Sequence, residues 1–147
     1  MTGSERDRPP LLLVDTHTFI WMVEKAPQLG AQAAEMLNRA GRENRIVVSS
    51  ITPWEIGLLV SKGRLRLGAD VMQWIREALA KPGVRLAQLE PEIAVASTRL
   101  PFEMHGDPAD RILVATARHL GATLVTADGA LLAIAKAGHF GALDAAA

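Results

Sequence analysis

The sequence predicts an α/β protein whose parallel β-sheet is covered by helices on both faces. Short, mostly apolar runs, typical of strands buried on both faces, occupy residues 11–14, 46–48 and 122–126. Segments with the helical spacing of apolar residues separate these runs. Strands that alternate with helices need crossover connections, and such connections join parallel strands. We therefore expect an α/β fold built on one central parallel sheet.

The ends of the chain bound a single domain. Residues 1–10 are polar, end in two prolines and lack the apolar stretch of a signal peptide, so they are predicted as a flexible lead-in. Residues 11–143 form the domain, and residues 144–147 are predicted as a C-terminal tail. Because no apolar run approaches the ~20 residues of a membrane span, we expect no membrane association.

Charge and cysteine content restrict the function classes. The chain has 16 Lys and Arg against 16 Asp and Glu, so its net charge favours no partner, although a local patch can still bind nucleic acid. It contains no cysteine, which excludes disulfides, thiolate metal sites and cysteine nucleophiles. A protein without disulfides is expected in the cytoplasm.

The first strand, residues 11–14, leads into two helices. Thr16 is predicted to cap a helix over about residues 17–25, and a second helix follows over about residues 30–40, ended by Gly41.

The second strand, residues 46–48, leads into a third helix with a distinct start. Thr52, Pro53 and Glu55 match the capping box, with proline at the first helical position, and the helix continues to about Lys62.

Three further elements precede the central helix. Asp70 caps an amphipathic helix that ends before Pro82, a third strand covers residues 84–89, and a helix covers residues 91–100.

The central helix is apolar on nearly all sides, which predicts packing against more than one neighbour. Asp107 is its cap, Pro108 its first residue and Asp110 its third, and it ends near Gly121. The chain then forms a fourth strand, a helix and a short edge strand, over residues 122–126, 129–137 and 139–143.

Four acids are expected at the same edge of the sheet. Asp15 and Asp128 follow apolar strands. Glu55 comes after the second strand, separated from it by a helix cap, and Asp110 begins the central helix. The carboxyl ends of parallel strands share one edge, where a ligand crevice opens. Crowded carboxylates repel one another unless a cation lies among them, and an all-oxygen site suits Mg²⁺ or Mn²⁺. This predicts metal-dependent hydrolysis of a phosphodiester.

The segments around these acids resemble a known family. They read LLLVDTHTFIW, SSITPWEIGLLVSKGRLRL, GDPADRILVATA and LVTADGAL, in that order along the chain. Together they resemble PIN-domain proteins, and most closely the VapC-type toxins of bacterial toxin–antitoxin pairs. The resemblance covers about residues 11–140.

The resemblance implies a three-layer α/β/α sandwich with the activity of a metal-dependent ribonuclease. It implies Mg²⁺ or Mn²⁺ as cofactor, RNA as substrate, a homodimer, and inhibition by a cognate VapB-like antitoxin. Asp15, Glu55 and Asp110 match the central metal-binding and catalytic positions of the family, and Asp128 matches its more variable fourth acid.

Four other residues are predicted to assist this site. Thr16 and Thr126 match positions where the family often has a hydroxyl beside the acids. Asp107 is a cap or a group behind the metal ligands. Arg111 follows Asp110 directly and is predicted to bind a phosphate or pair with a carboxylate.

Two other functions remain open. A PIN-like fold without catalysis would be a binding module, although the presence of all four acids argues against this. A Mg²⁺-dependent phosphatase or receiver-like domain also has an aspartate after its first strand, but it needs a second acid where this chain has Thr16, His17 and Thr18. A zinc hydrolase is not expected, because the four histidines lack the spacing of zinc ligands.

Some assignments have two interpretations. Glu55 could serve the capping box alone and not the metal site. His17 and His105 lie near the expected crevice, where they could contact RNA. The three tryptophans, Trp21, Trp54 and Trp74, fit a core or interface better than stacking platforms. The basic residues Lys62, Arg64 and Arg66 fit a phosphate-tracking patch or a solvated turn.

Overall fold

A computed structural model describes residues 8–147 of the chain. In this range five strands form one sheet: β1 (Leu12–Val14), β2 (Ile46–Ser49), β3 (Val84–Ala87), β4 (Thr123–Thr126) and β5 (Gly141–Asp144). Seven helices connect them: α1 (Thr16–Glu24), α2 (Ala31–Arg42), α3 (Ile51–Ser61), α4 (Val71–Leu79), α5 (Pro91–Thr98), α6 (Pro108–Leu120) and α7 (Gly129–Lys136). All strand pairs are parallel, in the order β3-β2-β1-β4-β5. The predicted α/β fold is confirmed.

Two hydrophobic clusters cover the two faces of the sheet. Because side chains alternate along a strand, Leu12 and Val14 belong to one cluster and Leu13 to the other. Helices α1 to α4 contribute to the first cluster, and α6 and α7 to the second. The molecule therefore has the three layers of an α/β/α sandwich. Within residues 8–147, no helix combines the length and apolar character needed to cross a membrane.

The strand order positions a crevice beside β1. The chain builds β2 and β3 on one side of this strand and then crosses to place β4 and β5 on the other. In open parallel sheets, ligands bind at the carboxyl edge where the strand order reverses. The end of β1, followed by Asp15, lies at this reversal.

Two predicted helix starts are wrong. Asp15, not Thr16, caps α1, because its Oδ1 accepts a hydrogen bond from the Thr18 amide at 2.8 Å. The Thr52 capping box does not form, since α3 already begins at Ile51, whose amide donates to Ser49 Oγ at 3.1 Å. Thr52 lies inside the helix and is buried.

Both ends of the described chain are packed. The predicted lead-in lies outside the described residues over positions 1–7, whereas Pro9 is buried and its carbonyl accepts from Arg45 Nε at 2.7 Å. At the other end, where a tail is predicted, Asp144 belongs to β5 and Ala145 is buried. The backbone carbonyls of Ala145 and Ala147 accept hydrogen bonds from the start of α2. Gly41, predicted to end α2, lies inside this helix.

Candidate active site

Five carboxylates line one cleft of about 340 Å³ at the carboxyl edge of the sheet. They belong to Asp15, Glu55, Asp107, Asp110 and Asp128. The four acids predicted to meet therefore do so, with Asp107 as a fifth. Among residues 8–147, no lysine or arginine lines this cleft. The site is thus strongly acidic and has no lysine or arginine of its own in the described residues.

Asp15 is the most firmly held of the acids. Its Oδ1 accepts from the Thr18 amide, and its Oδ2 accepts from the Thr126 hydroxyl at 2.6 Å. The Asp15 amide donates to the Val125 carbonyl at 3.1 Å, which joins the end of β1 to β4. The side chain is only 9% exposed. These bonds fix the direction in which the carboxylate faces the cleft.

Asp128 is tied to the same network through Thr126. Its amide donates to the Thr126 hydroxyl at 3.1 Å. Its Oδ1 accepts from the amides of Ala130 and Leu131 at 2.8 and 3.1 Å, so it also caps α7. Thr126 therefore connects two acids on different elements, consistent with the hydroxyl predicted beside them.

Glu55 faces Thr16 across the cleft. The Thr16 hydroxyl donates to Glu55 Oε1, and its oxygen lies 3.4 Å from the Thr52 hydroxyl. Burial raises the pKa of Glu55 above its ordinary value, and the negative charges of Asp107 and Asp15 raise it further. The hydrogen bond from Thr16 and the charge of His17 act in the opposite direction. Glu55 is therefore directed into the cleft and does not serve the predicted capping box.

Asp107 and Asp110 adjoin at the start of α6. Asp107 Oδ1 accepts from the Asp110 amide at 3.0 Å, which confirms Asp107 as the N-cap of this helix. The pKa of Asp110 is raised to about 6, first by burial and then by the charges of Asp107 and Glu55. His105 Nε2 lies 3.4 Å from Asp110 Oδ2, and the charge of His105 lowers the same pKa.

The donor set fits a hard divalent cation. The raised pKa values of Glu55 and Asp110 reflect carboxylates that are buried near one another, the situation that a cation relieves. All five acids offer oxygen, which Mg²⁺ and Mn²⁺ prefer.

The acids do not form a finished metal cage in the positions described. Within residues 8–147, no three acidic or histidine side chains are grouped as a set of ligands for one ion. Local bonds explain this, because Glu55 is held by Thr16 and Asp128 by the amides of α7. A complete cage is not needed by Mg²⁺, which keeps several waters and takes only one or two carboxylates.

Arg111 binds backbone carbonyls outside the cleft. Its Nε donates to the Ser97 carbonyl at 2.8 Å, and its Nη1 donates to the carbonyls of Met104 and His105 at 3.3 and 3.4 Å. The side chain does not line the cleft. Arg111 therefore holds the loop before α6 in place and bonds to carbonyls instead of a carboxylate in the described residues, while its binding of a phosphate stays a prediction.

Two ring-bearing residues lie in the cleft beside the acids. His17, predicted near the crevice, lines the cleft, and so does Trp21, which the sequence assigned to a core or interface. Their ring centroids are 6.4 Å apart with a 55° tilt. The available signal was helical spacing, since Trp21 follows His17 by four residues and therefore lies on the same side of α1.

The other predicted contact groups lie outside the cleft. Trp74 is in the core, as expected, with its ring edge-on to Phe19 at 5.9 Å. Trp54 is 55% exposed on α3. The basic residues after α3 are exposed and do not line the cleft: Lys62, Arg64 and Arg66.

Comparison with known proteins gives relatives of the same architecture. The family model described as PIN domain matches residues 12–137. The protein Ribonuclease VapC22 of Mycobacterium tuberculosis is 32% identical over 117 residues, which cover 80% of this chain and 86% of the relative.

Solved structures agree with this assignment. VapBC2 from Rickettsia felis, bound to a DNA fragment from its promoter, superimposes with a TM-score of 0.64 at 17% identity. FitAcB from Neisseria gonorrhoeae gives a TM-score of 0.61 at 21% identity, and a toxin–antitoxin complex from Klebsiella pneumoniae gives 0.57 at 22%. Each match covers 90% of this chain and 96% of the other chain. The fold, the acidic cleft and the family match agree, and the chain belongs to the PIN-domain family.

Proposed function

We propose that this chain is a Mg²⁺- or Mn²⁺-dependent endoribonuclease that hydrolyses RNA phosphodiester bonds as the toxin of a toxin–antitoxin pair. The observation that carries the proposal is the meeting of Asp15, Glu55 and Asp110 in one cleft, although they stem from three separate segments of the chain. The naming of a 32% identical relative as a ribonuclease supports the same activity.

Four acids are proposed to hold the ion: Asp15, Glu55, Asp110 and Asp128. When bound, Mg²⁺ supplies Lewis-acid activation of the phosphodiester and of water. Asp15 provides the fixed point, since two hydrogen bonds set its orientation. Glu55 and Asp110 have raised pKa values, so ion binding must release any proton that they hold.

Three further residues hold these acids in place: Thr16, Thr126 and Asp107. The Thr126 hydroxyl holds Asp15, the Thr16 hydroxyl holds Glu55, and Asp107 caps the helix that carries Asp110. The hydroxyls of Thr16 and Thr126 bring no charge near an incoming phosphate. The carboxylate of Asp107 adds one negative charge there.

A protein partner belongs to the same proposal. We expect a cognate VapB-like antitoxin that covers the cleft, and a homodimer of this chain. Support comes from the structural relatives, one of which is described as a toxin–antitoxin complex. Light scattering of the purified chain is expected to give twice its mass, and addition of the antitoxin is expected to stop RNA cleavage.

The test of activity measures cleavage of a mixed RNA pool by wild type and by Asp15→Asn, each in the presence of Mg²⁺, Mn²⁺ or EDTA. We expect cleavage by wild type with either metal, none with EDTA, and none by the variant. Asn keeps the size of Asp15 and can still accept from the Thr18 amide, so the fold is expected to remain.

Asp70→Asn is the matched control. Asp70 is also a helix N-cap that accepts from the amide three residues on, but it lies outside the cleft. This variant is expected to cleave RNA as wild type does. If wild type binds Mn²⁺ in calorimetry yet cleaves no RNA with any metal, the chain is a catalytically silent binding module and the proposal fails.

A further inference from the structure

We infer that Trp21, together with His17, forms a stacking site for one nucleobase of the RNA beside the acidic residues. The inference rests on the proposed function, because it gives the cleft a means of holding the nucleotide next to the bond that is cut. It assigns to Trp21 a role in substrate positioning that is separate from the acids.

The charge of the cleft favours such a site. Lysine and arginine contacts to phosphate usually supply most of the affinity of a protein for nucleic acid. In this cleft five carboxylates face the ligand, and within residues 8–147 no lysine or arginine does. A bound divalent ion neutralises only part of that charge. Besides the ion, contacts with the uncharged bases are the means by which this cleft can gain affinity for RNA.

Trp21 is placed to make that contact. Its side chain is half-buried and packs against the hydrophobic cluster formed by α1 to α4, while it also lines the cleft. A tryptophan held in this way offers a rigid surface at small entropic cost, because it has only two side-chain torsions. Base stacking on aromatic side chains tolerates any base, since every base has a π-face.

The ring of Trp21 is not stacked against its aromatic neighbour. The His17 and Trp21 centroids are 6.4 Å apart and their planes are tilted by 55°, so the imidazole does not cover the indole face. His17 is exposed and forms the outer part of the same wall. A base that enters the cleft therefore lies beside both rings, which share its lining with the acids.

The size of the cleft suits a single nucleotide. A volume of about 340 Å³ is at the lower end for ligand pockets. This volume favours one nucleotide over a base pair with its two backbones. We therefore expect the base that stacks on Trp21 to be unpaired, as bases are in loops and single strands.

Trp54 provides a matched control. It lies on α3 directly before Glu55 and is 55% exposed, but it does not line the cleft. If exposure alone made a tryptophan bind RNA, removal of Trp54 would weaken RNA binding as much as removal of Trp21 does.

The first test is kinetic. With a single-stranded RNA oligonucleotide that wild type cleaves, Trp21→Ala is expected to raise KM roughly ten-fold or more, with a smaller change in kcat. Trp21→Phe, which keeps an aromatic face and the packing, is expected to recover most of the loss. Trp54→Ala is expected to match wild type. Equal KM values for wild type, Trp21→Ala and Trp21→Phe would overturn the inference.

The second test does not depend on catalysis. Trp54→Phe leaves Trp21 and Trp74 as fluorophores, and Trp74 is only 6% exposed in the core. In Mg²⁺, we expect adenosine monophosphate to quench this variant with saturation and ribose 5-phosphate, which lacks the base, to have no effect. Adding Trp21→Phe is expected to abolish the quenching.

The two tests separate the two proposals. Saturable quenching without RNA cleavage would contradict the nuclease while the stacking site stands. Cleavage without base-dependent quenching of Trp21 would leave the nuclease and overturn the stacking site. Quenching that is equal with and without the base would overturn the stacking site in either case.

Discussion

The Thr126 hydroxyl donates a hydrogen bond to Asp15 Oδ2 at 2.6 Å, although the two residues are 111 positions apart in the chain. The same hydroxyl accepts from the Asp128 amide at 3.1 Å. One buried threonine at the end of β4 therefore fixes the acid that follows β1 and the acid that begins α7. It acts as the connection between two halves of the cleft.

Replacement of Thr126 by Val tests this connection. Valine has a similar shape but leaves Asp15 Oδ2 and the Asp128 amide without this partner, so we expect a loss of about 1–3 kcal/mol in the free energy of unfolding. We also expect lower Mn²⁺ affinity, because Asp15 is no longer held in one direction. Urea unfolding and calorimetry measure the two effects.

The control for this experiment is Thr126→Ser, which keeps the hydroxyl and is expected to retain metal affinity. Wild-type metal affinity in Thr126→Val would mean that the Thr18 amide alone holds Asp15 in place.

The raised pKa of Asp110 makes the stability of the metal-free protein depend on pH. Its pKa is about 6 in the folded protein against an ordinary value of 3.8, so folding favours the protonated form. The resulting stabilisation is complete below pH 3.8 and is lost as the pH rises through 6. In EDTA, Asp110→Asn is therefore expected to have a higher Tm than wild type at pH 8 and a similar Tm at pH 4. Thermal melts at the two pH values measure this.

Addition of Mg²⁺ at pH 8 is expected to reverse that order, because the ion favours the ionised carboxylate of wild type and gains less from the amide. Asp70→Asn, at a cap outside the cleft, is expected to follow wild type throughout. An Asp110→Asn variant that is less stable than wild type in EDTA at pH 8 would contradict the assigned pKa direction.

Arg111 is expected to matter for the loop before α6 and, through it, for activity. Its three hydrogen bonds to carbonyls need the planar guanidinium, and lysine cannot make them all. Arg111→Lys is therefore expected to lose about 1–3 kcal/mol in the free energy of unfolding and to cleave RNA more slowly. Chemical denaturation and the cleavage assay measure both.

Arg76→Lys is the control, because it makes the same substitution on the exposed side of α4, away from the loop. It should leave the free energy of unfolding and the rate of RNA cleavage unchanged. Normal stability of Arg111→Lys would show that the loop carbonyls find other donors.

The sequence predicted those features that depend on neighbouring residues. Apolar runs located the strands, and the Asp107–Pro108 pair located the start of α6, because a cap and its first turn lie within four residues. It also placed the acids at one edge, since parallel strands end together.

Some of the features that the sequence missed depend on partners that are distant in the chain. Glu55 binds the Thr16 hydroxyl, 39 residues earlier in the chain, and therefore does not serve the capping box predicted at Thr52. Arg111 binds a carbonyl 14 residues earlier, on α5. Trp21 belongs to both core and cleft, which only the packing of α1 against the sheet decides.

Gly83 is predicted to be a position where only glycine fits. It precedes β3 with a φ of +88°, and a Cβ there would lie 2.2 Å from the Gly41 carbonyl oxygen and 2.7 Å from the Gly41 Cα. Both contacts are with the backbone of α2, which cannot rotate away as a side chain can. Gly83→Ala is therefore expected to lose more than about 2 kcal/mol in the free energy of unfolding, measured by urea denaturation.

Gly63→Ala separates the two causes of that loss. Gly63 also has a positive φ, +70°, but a Cβ there would have no atom within 4 Å. This variant is expected to lose only the ~1–2 kcal/mol of the left-handed backbone conformation. The difference between the two variants measures how tightly α2 is packed against the start of β3. Equal losses would mean that α2 moves aside, and the close approach of Gly83 to Gly41 would then not constrain the fold.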